Sequence, residues 1–208
     1  GKRATKGKAI VNFIALSDDE RVTSILPMPK NLKQIEGSLL MITAQGTGKK
    51  VSAKSFHDVR SSGIIAIRLD AGDSLVSVSH VEKGDDASIV TKEGMSIRFK
   101  ESDIREMGRT AGGVRAMKLD KNDMVVGAHV IKKEYKDCWL LVISANGYGK
   151  RTELSEYKIQ GRGGSGILTS KVTAKTGEVI SSQIIHSEEE EVVAISKKSQ
   201  VVRTGVNE

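Results

Sequence analysis

The stretch Ala44-Gln45-Gly46-Thr47-Gly48-Lys49-Lys50 has three echoes in the same chain. A second copy reads Thr91-Lys92-Glu93-Gly94-Met95-Ser96-Ile97-Arg98, and a third reads Ser144-Ala145-Asn146-Gly147-Tyr148-Gly149-Lys150-Arg151. A fourth, with Ser199 in place of glycine, reads Ser196-Lys197-Lys198-Ser199-Gln200-Val201-Val202-Arg203. Each follows an apolar run and carries a basic residue a few positions past the turn. A second landmark keeps step: Gly7-Lys8-Ala9-Ile10, Gly63-Ile64-Ile65, Gly113-Val114-Arg115 and Gly166-Ile167-Leu168. Two landmarks recurring in register, about every fifty residues, mean one supersecondary unit copied several times.

The segments between landmarks read as strands. Short runs rich in Val and Ile alternate with polar residues, as in Ser96-Ile97-Arg98-Phe99-Lys100 and Val114-Arg115-Ala116-Met117-Lys118-Leu119. The pattern predicts strands over 10–16, 22–28, 38–44, 48–53, 64–69, 75–81, 87–91 and 95–99. It continues over 114–119, 124–131, 139–144, 149–152, 167–173, 179–186, 191–196 and 200–204. Gly, Asn and Asp turns separate them, and no amphipathic helix exceeds about two turns. Four strands per unit is the signature of propeller blades. The expectation is one all-β domain over 1–208, a propeller-like array of about four blades of four antiparallel strands. Its units fall near 1–35, 36–84, 85–135, 136–188 and 189–208. The outer ones are halves, so the chain reads as a piece of a longer protein.

Charge narrows the partner. The formal net charge is +7 and the pI about 9.4, while aromatics make up only 3%. Such a balance favours an anionic partner, nucleic acid before an anionic membrane. Acids fall in one type of turn: Asp18, Asp19 and Glu20; Glu82, Asp85 and Asp86; Asp120 and Asp123; and Glu188 to Glu191. Cations cluster after the glycine turns and around the small-residue loops: Lys2, Arg3, Lys6, Lys8, Lys49, Lys50, Arg60 and Arg68. Further along come Arg98, Lys100, Arg105, Arg109, Arg115, Lys118, Lys150, Arg151, Lys158, Arg162 and Lys171. Equivalent loops of equivalent blades share one rim, so these cations predict a basic belt with the acids on another surface. Evenly solvated charge is the alternative. Single-strand and RNA readers rely on aromatic platforms. Phe13, Phe56, Phe99 and Trp139 read as core or turn packing, so the belt suits duplex phosphates with little sequence readout.

Other chemistry finds little support. Gly161-Arg162-Gly163-Gly164-Ser165-Gly166 satisfies G-x-G-x-x-G, but a dinucleotide site needs a helix there and a strand pattern follows. Gly147-Tyr148-Gly149-Lys150-Arg151-Thr152 lacks the spacing of a phosphate-binding loop and reads as a hairpin. His57, His80, His129 and His186 lie in different units without ligand spacing, His80 and His129 at similar places in adjacent repeats. No nucleophile elbow or ordered triad is present. Tyr135, Tyr148 and Tyr157 are ordinary loop or strand residues. Cys138, the only cysteine, excludes an internal disulfide and sits among apolar neighbours as an inert thiol. There is no secretory signal pattern, and no apolar stretch approaches the roughly eighteen residues of a membrane span. An intracellular location fits.

Several runs closely resemble the C-terminal domain of bacterial DNA gyrase A: Gly63-Ile64-Ile65-Ala66-Ile67, Arg98-Phe99-Lys100-Glu101-Ser102, Met107-Gly108-Arg109-Thr110-Ala111 and Asn146-Gly147-Tyr148-Gly149-Lys150-Arg151-Thr152. The resemblance covers essentially the whole chain. It implies a β-pinwheel, a ring whose blades exchange strands, with sequence-nonspecific double-stranded DNA wrapped on the outer rim. It implies a non-catalytic module without cofactor, in an ATP-dependent type IIA topoisomerase of the bacterial cytoplasm and nucleoid. Its partners there are the breakage-reunion domain of the same polypeptide and the gyrase B protein, with no membrane. The family's wrapping motif, the gyrase A box, reads Gln-Arg-Arg-Gly-Gly-Lys-Gly. The nearest string here is Gln160-Gly161-Arg162-Gly163-Gly164-Ser165-Gly166, a degenerate box lacking two basic residues. The alternatives are the corresponding C-terminal domain of topoisomerase IV, which shares the fold, and a propeller used as a protein-docking scaffold.

Overall fold

The structure, a computed structural model, describes residues 7–9, 12–14, 16–17, 20–28, 35–59, 62–186, 191–196 and 198–206. One pattern repeats along it. Strands β1 (Ser38–Thr43) and β2 (Thr47–Ser52) form a hairpin, and β3 (Leu75–Val81) returns antiparallel along the other side of β1. The next unit repeats this with β4 (Asp86–Thr91), β5 (Met95–Lys100) and β7 (Val125–Ile131). So does the third, with β8 (Trp139–Ser144), β9 (Gly149–Glu153) and β11 (Val179–Ile185). A last hairpin joins β12 (Glu191–Ile195) to β13 (Val201–Gly205).

The remaining strands are donated between units. β6 (Val114–Arg115) follows β5 in the chain but completes the sheet of β1 and β2, pairing with Thr47 and Gly48. β10 (Ile167–Leu168) follows β9 and pairs with Met95 and Ser96 of β5. Both complete sheets therefore have four strands, in the orders β3-β1-β2-β6 and β7-β4-β5-β10. This is the all-β blade array that the repeat predicts, with the strand exchange that the resemblance implies.

The two sequence landmarks are the two sides of this joint. The Gly94 carbonyl accepts the amides of Thr169 and Ser170, at 2.8 and 3.1 Å. The Gly46 carbonyl accepts those of Ala116 and Met117, at 2.8 and 3.1 Å. Gly94 turns with φ +81° and Gly166 with φ +76°. A Cβ on Gly94 would overlap the Ser170 carbonyl, and one on Gly166 the Ser96 carbonyl. Only glycine allows that conformation and that approach together. Ser199, which replaces glycine in the fourth turn, takes the left-handed conformation too, with φ 59°.

Cores lie between sheets, so β1 and β4 bury both faces, while β8 buries one face fully and the other in part. Leu40 and Ile42 of β1 join Ile89, Ile97 and Phe99 of the next unit, while Leu39 and Met41 face Val51 and Ala53. Leu140, Val142, Leu154 and Tyr157 form the following core with Val90 and Ile131. Cys138 is buried in it, as its apolar neighbours suggest.

Several expected strands differ. β6 and β10 are two residues each, because after one ladder step the chain bends inward and gives its next two amides to a single hairpin carbonyl. Residues 64–69 form no strand, as no described hairpin offers them an edge. Residues 22–28 form none either. Pro27 lacks a donor, and Leu26 and Met28 pack on the core around Met41. Phe13 is 63% exposed rather than packed. Residues 10, 11 and 15 of the first expected strand lie outside the described residues.

The strands β3, β7 and β11 stand side by side, and small residues let them approach. Ser77 Oγ donates to the Ala128 carbonyl at 2.9 Å, and His129 Nε2 meets Ser182 Oγ at 2.8 Å. His80 and His129 are not equivalent after all. Val81 and Ile131 occupy matching register positions opposite Ser38 and Asp86, so the histidines fall one residue out of phase, on opposite sheet faces. His80 reaches the Glu36 carbonyl at 2.6 Å.

The joints and the inner strands make two expectations measurable. Gly166→Ala should lower unfolding free energy in urea by more than about 3 kcal/mol, from left-handed strain plus a broken joint. Gly147→Ala, at φ +83° with open space around it, should lose only about 1 kcal/mol. Burial pushes His129 down to about 4, against the Ser182 hydrogen bond. The unfolded chain therefore binds the extra proton first. Stability should fall as pH drops from about 6.5 to 4, by roughly 3 kcal/mol, and His129→Gln should flatten that window.

Candidate nucleic-acid interface

In the second, third and fourth hairpins the basic residue past the turn meets the first residue of the facing strand, whereas Lys50 in the first hairpin pairs with Glu101. Arg98 binds Asp86 through Nη2 at 2.7 Å and Nε at 3.0 Å, Arg151 lies 5.1 Å over the Trp139 ring, and Arg203 pairs with Glu191. A second contact crosses to the next unit. Arg98 Nη1 donates to the Leu154 carbonyl at 3.0 Å, and Lys50 makes the matching bond to the Glu101 carbonyl at 3.1 Å. Glu101 and Leu154 open one-turn 3-10 helices after β5 and β9, and the Glu101 carboxylate also pairs with Lys50.

Lys49 is 0% exposed. Its ammonium donates to the carbonyls of Ala66 at 2.7 Å, Ala111 at 2.8 Å and Arg109. Burial, and then the Arg109 guanidinium, push its pKa below the ordinary lysine value. Lys150, at the same place two units on, donates to the Thr169 carbonyl at 3.0 Å. Lys49, Lys50 and Arg98 thus leave the expected belt, because their charges are held inside the joints. Arg109 and Arg162 also turn onto backbone. Arg109 Nη1 donates to the Ile65 carbonyl at 3.4 Å, and Arg162 to the carbonyls of Asp103 at 2.7 Å and Arg115 at 3.0 Å.

The other cations remain on the surface. Lys8, Arg68, Lys100, Arg105, Arg115, Lys118, Lys158 and Lys171 are exposed, with no side-chain hydrogen bond or ion pair among the described residues. Lys2, Arg3, Lys6 and Arg60 lie outside those residues, as do the acids Asp18, Asp19, Glu188, Glu189 and Glu190. Two rows recur in the exposed set. Arg68, Lys118 and Lys171 each stand five residues past the landmark glycines Gly63, Gly113 and Gly166. Arg105 and Lys158 share another position, four residues past Glu101 and Leu154, where the 3-10 helices begin. His57 holds it in the unit before, exposed and 2.6 Å from the Asp58 carboxylate. A census of lysine and arginine alone misses His57, and its spacing from Ala53 was the signal that could have found it.

Among the described residues the acids do not stand apart from the cations, and Asp86 pairs with Arg98. Asp73 Oδ1 accepts the Gln45 amide at 2.9 Å and Asp123 Oδ1 the Glu93 amide at 3.1 Å, so both cap hairpin tips beside the donated strands. Their recurrence at matching places was the available signal. Asp85 accepts the Glu82 amide at 2.9 Å, the Lys133 amide at 3.1 Å and the Lys132 ammonium at 2.9 Å. Burial works against its charge, but these donors outweigh it and hold its carboxyl below the ordinary carboxylate value. Among the described turn acids, Asp73, Asp85, Asp86 and Asp123 are engaged by amides or neighbouring cations.

The box-like string forms a loop ahead of β10, with no helix opening after it. Among the described residues no cluster of His, Cys, Asp or Glu is arranged to hold a metal ion, and no helix is long and apolar enough to cross a membrane. Replacing Lys49 with Met should leave three carbonyls without a donor and cost about 2–4 kcal/mol in urea unfolding. Nucleic-acid affinity of the folded fraction should stay within about twofold, since a buried ammonium reaches no phosphate.

Known proteins share this framework. A sequence profile described as "DNA gyrase C-terminal domain, beta-propeller" matches residues 1–27, 37–82, 85–132 and 139–186. The DNA gyrase A protein of Salmonella typhimurium is 36% identical over 206 residues, covering 99% of this chain and 23% of that protein. That of Buchnera aphidicola is 38% identical over 207 residues, covering 99% and 24%. The chain thus spans about a quarter of the length of the curated relatives it matches. A solved DNA gyrase A C-terminal domain superposes with a TM-score of 0.85 at 30% identity, over 98% of this chain and 66% of that one. A solved C-terminal domain of DNA topoisomerase IV gives 0.87 at 25% identity, over 97% and 61%.

Proposed function

The chain belongs to the DNA gyrase C-terminal domain family, and we propose on that premise that it is a module that binds and bends duplex DNA without regard to sequence. One observation carries the reading: the exposed cation row of Arg68, Lys118 and Lys171, at the same place in three successive units. A cation repeated at blade spacing presents charge along an arc. Bending a duplex of 20–30 base pairs by 40–90° costs on the order of 1–6 kcal/mol, which phosphate contacts along the arc offset through counterion release. The row has no aromatic partner at each step, so it favours backbone over base contact.

The module has a geometric role and no chemistry or cofactor of its own. In the parent enzyme, a type IIA topoisomerase driven by ATP, it delivers a DNA segment to the breakage-reunion domain of the same polypeptide, alongside the gyrase B protein. Negative supercoiling then follows from the hand of the bend. Among solved structures the identity is 30% to the gyrase A domain against 25% to the topoisomerase IV domain, and this supports the gyrase assignment over its rival.

Fluorescence anisotropy on mixed-sequence duplexes tests the reading. Log affinity should fall linearly with log salt, by about 0.9 per phosphate contacted. The triple variant Arg68→Gln, Lys118→Gln, Lys171→Gln should flatten the slope by roughly 2.7 while the melting temperature holds. An unchanged slope, or no binding at low salt by the unaltered chain, would overturn the assignment.

A further inference from the structure

We propose that Arg109 and Arg162 are positioning residues, which fix where the cation row stands and hence the curvature imposed on DNA, and which do not contact phosphate. The inference rests on the DNA-bending reading.

Arg162 sits in the loop between β9 and β10. Its Nε donates to the Asp103 carbonyl at 2.7 Å, in the 3-10 helix of the preceding unit. Its Nη1 donates to the Arg115 carbonyl at 3.0 Å, at the end of β6, which is part of the sheet of β1 and β2. One planar guanidinium thus fastens a loop of the third unit to a helix of the second and to a strand seated in the first. The fork geometry suits this, since it holds two acceptors in fixed directions where an ammonium would swivel.

The same loop then grips the backbone of the row. Gly163 N–H donates to the Ala116 carbonyl at 2.6 Å, and Lys118 N–H donates to the Gly164 carbonyl at 2.9 Å. Lys118 is one of the exposed cations. The preceding unit repeats two of these contacts. Arg109 reaches the Ile65 carbonyl, and Arg68 N–H donates to the Ala111 carbonyl at 3.3 Å. Ile65 and Arg115 are both two residues past their landmark glycine, and Arg68 and Lys118 are both five past it. Each staple arginine therefore stands one loop away from the row cation it holds. The joint beneath is closed by different means. Lys49 binds the Ala66 and Ala111 carbonyls in one unit, whereas in the next Ile97 packs beneath Gly164, whose Cβ would stand 3.7 Å from it. The arginine is the part common to both.

The test compares Arg109→Gln, Arg162→Gln with the unaltered chain by three measurements. The salt slope of duplex affinity should be unchanged, whereas loss of two phosphate contacts would flatten it by about 1.8 and overturn the proposal. Amide exchange at Arg68 and Lys118 should quicken at least several-fold relative to the Val90 and Val142 amides, and equal exchange would overturn it. Ligase circularisation of a short duplex at saturating protein should fall several-fold, and unchanged circularisation would overturn it. If the double variant melts below the assay temperature, Arg162→Lys is measured in its place, with the same direction expected at Lys118 alone. A wild-type chain that binds no duplex would sink the DNA reading, while the exchange measurement still decides the staple.

Discussion

A single carbonyl with two amides on it holds this molecule together. Gly46 and Gly94 each sit at a hairpin tip, and each receives two N–H groups from a strand that belongs to the following unit. Backbone meets backbone there, so no side chain can be exchanged to tune the contact, and no Cβ can intrude. Everything that fastens one unit to the next is arranged around these tips: the donated strand, the carboxylate caps of Asp73 and Asp123, the lysine or isoleucine beneath, and the arginine loop above. A hairpin of this kind is marginal alone. It becomes a blade when a neighbour supplies the edge strand and a second apolar face.

The sequence and the structure agree most closely where backbone geometry constrains residue type. A glycine held by a left-handed turn and a close carbonyl cannot drift, which is why Gly46, Gly94, Gly113 and Gly166 stand out as landmarks, while the open position of Gly147 keeps the turn without the close approach. Alternation along β5 is equally plain, because buried Ile97 and Phe99 alternate with the polar Ser96, Arg98 and Lys100. The candidate interface was less legible. A lysine after a turn looks the same whether it faces water or three carbonyls, and Lys49 shows how far apart those fates are. Arg98 and Arg151 are read correctly only beside Asp86 and Trp139, which are twelve residues away in the sequence and adjacent across the hairpin. Register supplies that information. The short donated strands were overestimated for a related reason, since alternation continues through residues whose amides have left the ladder.

The electrostatics then follow from local neutralisation. A net charge of +7 spread over a surface would bind anions weakly and anywhere. Here Asp73, Asp85, Asp86 and Asp123 are matched at short range, and so are Lys49, Lys50 and Arg98. What remains is ordered by the repeat, because each equivalent residue inherits the same place in its unit. Periodicity makes a modest surplus directional, and the long duplex is the kind of partner whose charge is periodic as well.

Strand donation also sets an order of events at the ribosome. The edge of β2 is completed by Val114 and Arg115, about sixty residues later in the chain. At roughly 5–20 residues per second, that edge stays bare for about 3–12 s after it is made. During that interval it is an open row of hydrogen-bonding groups, able to capture any extended segment nearby. Each unit is thus finished by the birth of its successor, and the array matures from its N-terminal end one blade behind synthesis.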